Sequence, residues 1–356
     1  MTSATGAKWV GLGLLLAMTA MIGACRSLVT VPDASKPAPR EEGPIDQRLF
    51  LVVHGDADYL YHDGRGHPHR ADRETLREAF DAARSLPRAE VFIAHLRARE
   101  PFLGLFPRDD GTLYHFRRGR LIDQTTYDQN RRAVLSREAQ WIRNRRSANT
   151  DTSLFRAALY YGHAVPERAR RGYHRSTPEV AFGVSDLTQG LARLSTGDAF
   201  DVVVLSTCDG GTPQTVAALT QQARYVVAAP GDLHLSFIDA DLLSTIESTN
   251  RPDRWARRLT DRAFQRLADR TVTGVQLAVY DLERAGPSAR RMAEQVPPDT
   301  STTPTGGRHV DCRRVLGRSV DTTGVYVRSR APRFGPQAHR DTHSGWACLP
   351  SSKASP

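Results

Sequence analysis

Short apolar runs alternate with longer amphipathic stretches along most of this chain, and the alternation predicts its elements. Arg48 to Val53 reads as an apolar strand ending in a turn at His54-Gly55-Asp56, and Glu74 to Leu86 as a helix with Leu76, Phe80, Ala83 and Leu86 on one face. Glu90 to Leu96 is the next strand. Thr112 to Phe116 and Arg120 to Thr125, joined across Arg117-Arg118-Gly119, predict a hairpin. Ser136 is placed to cap a helix carrying Trp141 and Ile142, and Leu154 to Tyr161 predicts a third core strand ending at Gly162-His163-Ala164.

The later units repeat the pattern. Asp186 and Gln189 have capping-box spacing for a helix that buries Leu187, Leu191 and Leu194. Phe200 to Cys208 is a strand bounded by Gly210 and Gly211, and Thr212-Pro213 reads as cap and first position of a helix running to Ala223. A strand from Tyr225 to Ala229 follows. Two helices come next, one with Phe237, Leu243 and Ile246 inward and one with Trp255, Leu259 and Leu267 inward, and then a last core strand, Val275 to Tyr280. Such alternation predicts an α/β fold: a mainly parallel central sheet with helices on both faces. Within the carboxyl-terminal segment, Val325 to Arg328 has the composition of an edge strand.

The amino terminus departs from this pattern. Lys8 precedes an apolar stretch from Trp9 to Ile22, which suits a secretory core and is short for a membrane span. Ile22-Gly23-Ala24-Cys25 then resembles a bacterial lipobox, which predicts lipid on Cys25 and a chain anchored in the bacterial cell envelope, facing periplasm or exterior. The competing reading is cleavage at a small-residue site with Cys25 incidental. The expected organisation is a leader over 1–25, a tether over 26–45, a globular domain over 46–296, a linker over 297–308 and a basic tail over 309–356. The net charge is +10, yet only Lys8, Lys36 and Lys353 among the 49 basic residues are lysines. The arginines are spread evenly and no nucleic-acid-binding motif accompanies them, so no nucleic-acid partner is expected.

Four cysteines narrow the chemistry. With Cys25 assigned to lipid, Cys312 and Cys348 in the tail are expected to pair in an oxidising compartment, leaving Cys208 alone. Cys208 is then either a reactive thiol at the carboxyl edge of a buried strand or a small buried hydrophobe. His163 ends the preceding predicted core strand, one crossover unit earlier, so imidazole and thiol are expected at the same edge of the sheet. A thiolate is the nucleophile, and a neighbouring imidazolium and the helix beginning near Thr212 are both expected to favour its ionisation. Gly210 and Gly211 permit a tight turn that aims backbone donors at an oxyanion.

These residues resemble the clostripain-like cysteine peptidases, relatives of caspases and gingipains, over about Leu49 to Ala293. The resemblance rests on Val52-Val53-His54-Gly55-Asp56-Ala57-Asp58 at the first strand and Ala158-Leu-Tyr-Tyr-Gly-His163 at the histidine strand. It continues through Phe200-Asp-Val-Val-Val-Leu-Ser-Thr-Cys208 at the cysteine strand and Ala223-Arg-Tyr-Val-Val-Ala-Ala229 at the next. It implies a caspase-like three-layer sandwich and hydrolysis of peptide bonds in a polypeptide substrate, with Cys208 attacking the carbonyl and His163 moving the proton. The backbone N–H groups of Ala164 and Cys208 would form the oxyanion hole, Ala164 standing where the family has glycine. Ser206 stands where the family usually has an aspartate that binds a basic substrate residue, and Asp209 or Asp232 would supply that charge for cleavage after arginine or lysine. The sequence indicates no cofactor; whether calcium assists folding, as in some relatives, stays open.

Other groups carry less. His54-Gly55 also follows an apolar strand but is read as a turn rather than a base. The histidines of His62 to His69 are read as a solvated loop rather than a metal site, and His339 and His343 have zinc spacing without a helix around them. Ser206 lacks the Gly-x-Ser-x-Gly elbow of a serine hydrolase. The basic loop from Pro166 to Arg175 is a chemically suitable target for self-cleavage. Two alternatives to a peptidase stand: a lipoprotein that keeps the fold as a binding module, and a thiol-dependent acyl transferase on the same pair of residues.

Overall fold

The apolar runs become strands and the amphipathic stretches become helices in the computed structural model. It describes residues 44–62, 66–99, 110–130, 132–147, 150–195, 197–233, 238, 240–245, 251–296, 309–317, 320–334 and 342–350. The leader, Cys25, the tether up to residue 43 and the 297–308 linker lie outside the described residues. In chain order the elements are β1 (Ile45–Gly55), β2 (Leu60–His62), β3 (Pro68–Arg70), α1 (Ala71–Ser85), β4 (Ala89–Arg97), β5 (Gly111–Arg117), β6 (Arg120–Tyr127), α2 (Ser136–Arg145), β7 (Thr150–Tyr161), α3 (Val184–Ser195) and β8 (Phe200–Ser206). They continue with α4 (Pro213–Ala218), β9 (Ala223–Ala228), a 3-10 turn (Ala240–Thr245), α5 (Pro252–Arg270), β10 (Val275–Asp281), α6 (Leu282–Gln295), β11 (Val310–Asp311), α7 (Cys312–Leu316), β12 (Val325–Arg330) and β13 (Ala347–Cys348).

Nine strands form one sheet in the order β12-β10-β9-β8-β7-β1-β4-β5-β6. The central five, β9, β8, β7, β1 and β4, run parallel. Antiparallel strands flank them on both sides, as β5 with β6 and as β10 with β12. The chain leaves β1 for β4 on one side and later returns to β7 on the other. The winding direction therefore reverses at β1, which opens a crevice beyond the strands' carboxyl ends where α/β proteins bind ligands.

Both faces of the sheet are covered, because its central strands are apolar on both sides. On one face Ala79 and Ala83 of α1 and Trp255 and Leu259 of α5 pack on Leu51, Val53, Leu159 and Val204. On the other, Ile142 of α2, Leu191 of α3, Val216 of α4 and Ala285 of α6 pack on Phe50, Val52, Ala158 and Val203. Successive strand residues alternate between the two cores, as a two-residue period requires.

Several boundaries differ from the expectation. β1 runs on through Gly55, so His54 is a fully buried strand residue and not part of a turn. Helix α4 stops at Ala218 and Ala223 already opens β9; Thr212 does cap it, accepting from the N–H of Thr215 at 3.2 Å. Ser136 is the first residue of α2 rather than its cap, a position held by Leu135 at φ 56°. No capping box forms at α3, because Asp186 reaches back to the N–H of Gly183 while Gln189 bonds the hydroxyl of Ser185. The first helix after β9 is a 3-10 turn, and Phe237 and Ile246 lie outside the described residues. The hairpin holds as expected, with Arg118 and Gly119 at φ 52° and 78°, the positive values a two-residue hairpin needs.

The carboxyl-terminal segment completes the sheet. β12 adds to its edge against β10, and Cys312 and Cys348, 36 positions apart in sequence, form a disulfide. Trp346, fully buried, lies 4.9 Å from the ring of Tyr280. Replacing both cysteines with serine is expected to cost about 4 kcal/mol, the chain-entropy value for a loop of this length, measurable as a lower denaturant midpoint.

Candidate active site

β7 and β8 pair in parallel with Tyr161 opposite Ser206, and the N–H of Gly162 donates to the carbonyl of Ser206 at 3.3 Å, carrying the ladder one step further. His163 and Cys208 each stand two residues beyond that last pair. They therefore leave neighbouring strands at the same level and on the same face, the face of Tyr161 and Val204, whose core Cys208 packs against. This is also the face covered by Tyr59, on which the His163 ring stacks at 4.5 Å between centroids and 8° between planes.

The second nitrogen of His163 is committed. Nε2 lies 3.2 Å from the backbone carbonyl oxygen of Asp58, and a carbonyl can only accept, so Nε2 carries the hydrogen. Nδ1 is left with its lone pair, the form needed to take a proton. Burial moves the His163 ionisation down from 6.5, against an opposing pull from the Asp58 carbonyl and carboxylate. The imidazole is accordingly neutral at neutral pH.

Cys208 is half-buried at the rim. Its thiol donates to the carbonyl of Leu233 at 3.5 Å, and its sulfur accepts from the N–H of the same residue at 3.2 Å. The sequence-based expectation of a favoured thiolate is not met. Burial pushes the thiol up to about 11, the charges of Asp209 and Asp232 add to the rise, and only the Leu233 backbone opposes it. The helix expected to help has six residues, and its cap, Thr212, has turned its hydroxyl to the Thr215 N–H. The pair at rest is thus a neutral thiol and a neutral imidazole.

The turn after the sulfur is clamped from two sides. Asp209 has φ 53° and donates its N–H to Gly231, while Gly211 donates to Ala229. A Cβ on Gly211 would come within 2.2 Å of the Tyr280 hydroxyl, so this glycine is a close-packing requirement. From the other side Ala347 donates to the carbonyl of Gly211 at 3.2 Å, and His309 Nδ1 lies 3.1 Å from Asp209 Oδ1. The disulfide-closed tail is therefore built against the candidate nucleophile's turn, a placement no motif in the sequence announces.

The remaining candidates separate. Ala164 has no positive φ, so alanine at this position brings no left-handed strain. Among the described residues no backbone–backbone hydrogen bond outside the helices and strands uses the N–H of Ala164 or of Cys208. Ser206 is sealed in at 1% exposure, its hydroxyl accepting from Ile238, and Asp209 faces His309. Asp232 is exposed beside the rim.

Sequence reasoning missed the residues that support His163. Asp58 supplies a carbonyl and Tyr59 a ring face, roles that any residue and any aromatic could fill, so neither leaves a motif. Asp56 accepts from the N–H and hydroxyl of Ser176 and so ties the loop after His163 to the exit of β1. Arg170 and Phe182 bridge the same basic loop, which is a pinned connection rather than a loose one. His69 is bonded to Glu74, and His343 accepts from the N–H of Gly345; His339 lies outside the described residues. Among the described residues no three such groups are placed to hold a metal ion.

No family model and no curated protein matches the sequence. Among solved structures the chain is similar to an inactive zymogen C11 protease from Parabacteroides distasonis, at 11% identity over 87% of this chain and 93% of that one, with a TM-score of 0.55. It also matches a secreted C11 cysteine protease from Bacteroides thetaiotaomicron in complex with an irreversible peptide inhibitor, at 13% identity over 70% of this chain and 68% of that one, with a TM-score of 0.49. The likeness to the zymogen establishes the architecture: this chain has the caspase-like fold of the C11, or clostripain-family, cysteine proteases.

Proposed function

We propose that this chain is a clostripain-like cysteine endopeptidase using Cys208 as nucleophile and His163 as general base and acid. The observation that carries the reading is the equal level of the two residues beyond the carboxyl ends of β7 and β8, on one face. The C11 fold supports it. In the reaction Nδ1 of His163 takes the thiol proton as sulfur attacks the peptide carbonyl, and the backbone N–H groups of Cys208 and Ala164 hold the oxyanion. The imidazolium then protonates the departing amine, and water, deprotonated by the same nitrogen, hydrolyses the thioester.

Asp232, exposed and near enough for its charge to act on the Cys208 thiol, is the carboxylate that would meet an arginine or lysine side chain, Ser206 being sealed inside. Asp232→Asn is expected to raise KM for an arginyl substrate about tenfold, the loss of one partly shielded charge pair, with little change for a neutral residue there. Export and a lipid on Cys25 belong to the same proposal, and the Cys312–Cys348 disulfide agrees with an oxidising compartment.

The test is covalent labelling of the reduced, folded protein with a peptidyl electrophile ending in arginine. One adduct, mapped to Cys208 by peptide mass, supports the peptidase. One feature favours the binding-module reading instead: a thiol held by Leu233 and pushed up to about 11. Absence of labelling with the fold intact would establish that reading and defeat ours.

A further inference from the structure

Resting on that reading, we propose that Tyr59 is the positioning residue of His163: its ring face, locked by His54, holds the imidazole in the one orientation that serves both proton transfers.

His163 stands on a strand exit with its outer side exposed. The bond from Nε2 to the Asp58 carbonyl fixes one nitrogen but leaves the ring free to swing about that contact. The parallel stack with Tyr59, at 4.5 Å and 8°, removes the swing. Both restraints come from two consecutive residues of the β1 exit, so the in-plane bond and the facial contact move together. Tyr59 is itself fixed. It is 7% exposed, and its hydroxyl lies 2.9 Å from Nδ1 of His54. His54 is fully buried, and its Nε2 lies 3.1 Å from Nδ1 of His174, which is also buried. A buried imidazole bonded through both nitrogens cannot rotate without breaking one bond, so the phenol has a rigid anchor. The base must receive a proton from sulfur and deliver it to the leaving amine with the same nitrogen. Orientation therefore limits turnover rather than substrate binding.

The experiment uses the full chain as wild type, Tyr59→Leu and Tyr59→Phe, with steady-state hydrolysis of a peptidyl-arginine amide and the carbon–proton NMR signals of the His163 ring. Tyr59→Leu is expected to lower kcat about tenfold with KM within twofold, and to abolish the ring-current displacement of the His163 signals. Tyr59→Phe keeps the face and loses the anchor, so kcat should recover to within about threefold of wild type, with broadened ring signals. A Tyr59→Leu kcat within twofold of wild type overturns the proposal, as does a Tyr59→Phe protein no better than Tyr59→Leu. If Tyr59→Leu does not fold, Tyr59→Phe decides: unchanged kcat and unchanged line widths overturn the proposal. An inactive wild type would defeat the peptidase reading alone. The positioning would then stand or fall on whether the His163 signals are displaced in the wild type and relax when the stack is removed.

Discussion

Peptide hydrolysis should fall at least about a thousandfold in Cys208→Ala and in His163→Ala, and the double variant should be little worse than either single one. Alanine at 208 removes the only described free thiol, so no covalent intermediate can form. Alanine at 163 removes the imidazole that takes the thiol proton in this reading. Because the thiol ionises near 11, an unassisted sulfur is almost wholly protonated at neutral pH, and loss of the base is felt in full. The two groups act on one proton, so their losses do not add. Steady-state rates on a peptidyl-arginine amide, with melting temperature as a control for folding, give the measurement. A Cys208→Ala protein that retains more than a tenth of the activity would show that another residue attacks.

The second large effect concerns the resting thiol. A thiol raised to about 11, against an ordinary 9.0, holds about a hundredfold less thiolate at neutral pH. Alkylation of Cys208 by iodoacetamide should accordingly be about a hundredfold slower than that of a free thiol at pH 7. It should climb roughly tenfold per pH unit towards 11. The sign follows from burial and from the carboxylates of Asp209 and Asp232, all of which disfavour the anion. A peptidyl electrophile behaves differently, because it brings the reacting carbon to the sulfur while His163 takes the proton. Its rate should be flat at neutral pH and drop only below 6.5, where the lowered ionisation of His163 finally removes the base. Rapid iodoacetamide labelling at pH 7 would show instead a thiolate–imidazolium pair already formed.

Much of the scaffold was legible in the sequence, for an identifiable reason. Strands buried on both faces need apolar residues on both, and the middles of the five central strands have them, so Leu51, Leu159, Val204 and their neighbours declare themselves as runs. Element ends were less legible. The apolar run of β1 ends at Val53 because His54 is polar, yet His54 is a buried strand residue bonded to Tyr59 and His174, the latter far away in sequence. The helix after Cys208 is shorter than its sequence suggests: Ala217, Ala218 and Leu219 suit a helix, but the helix ends at Ala218 and the chain turns to begin β9 at Ala223.

The order of His163 and Cys208 along the chain, each after an apolar run with one crossover unit between them, is a local property, and the sequence alone carries it. So is the pairing of Cys312 with Cys348 by elimination. Which groups surround the two candidates is not local. The Asp58 carbonyl and the Tyr59 ring, the Leu233 backbone at the sulfur and His309 against Asp209 reach the site from three separate segments. Ionisation depends on desolvation and on charges a few ångströms away, and those distances exist only once the sheet has closed and the tail has docked. Pattern therefore names the candidate pair, and packing decides their protonation, orientation and neighbours.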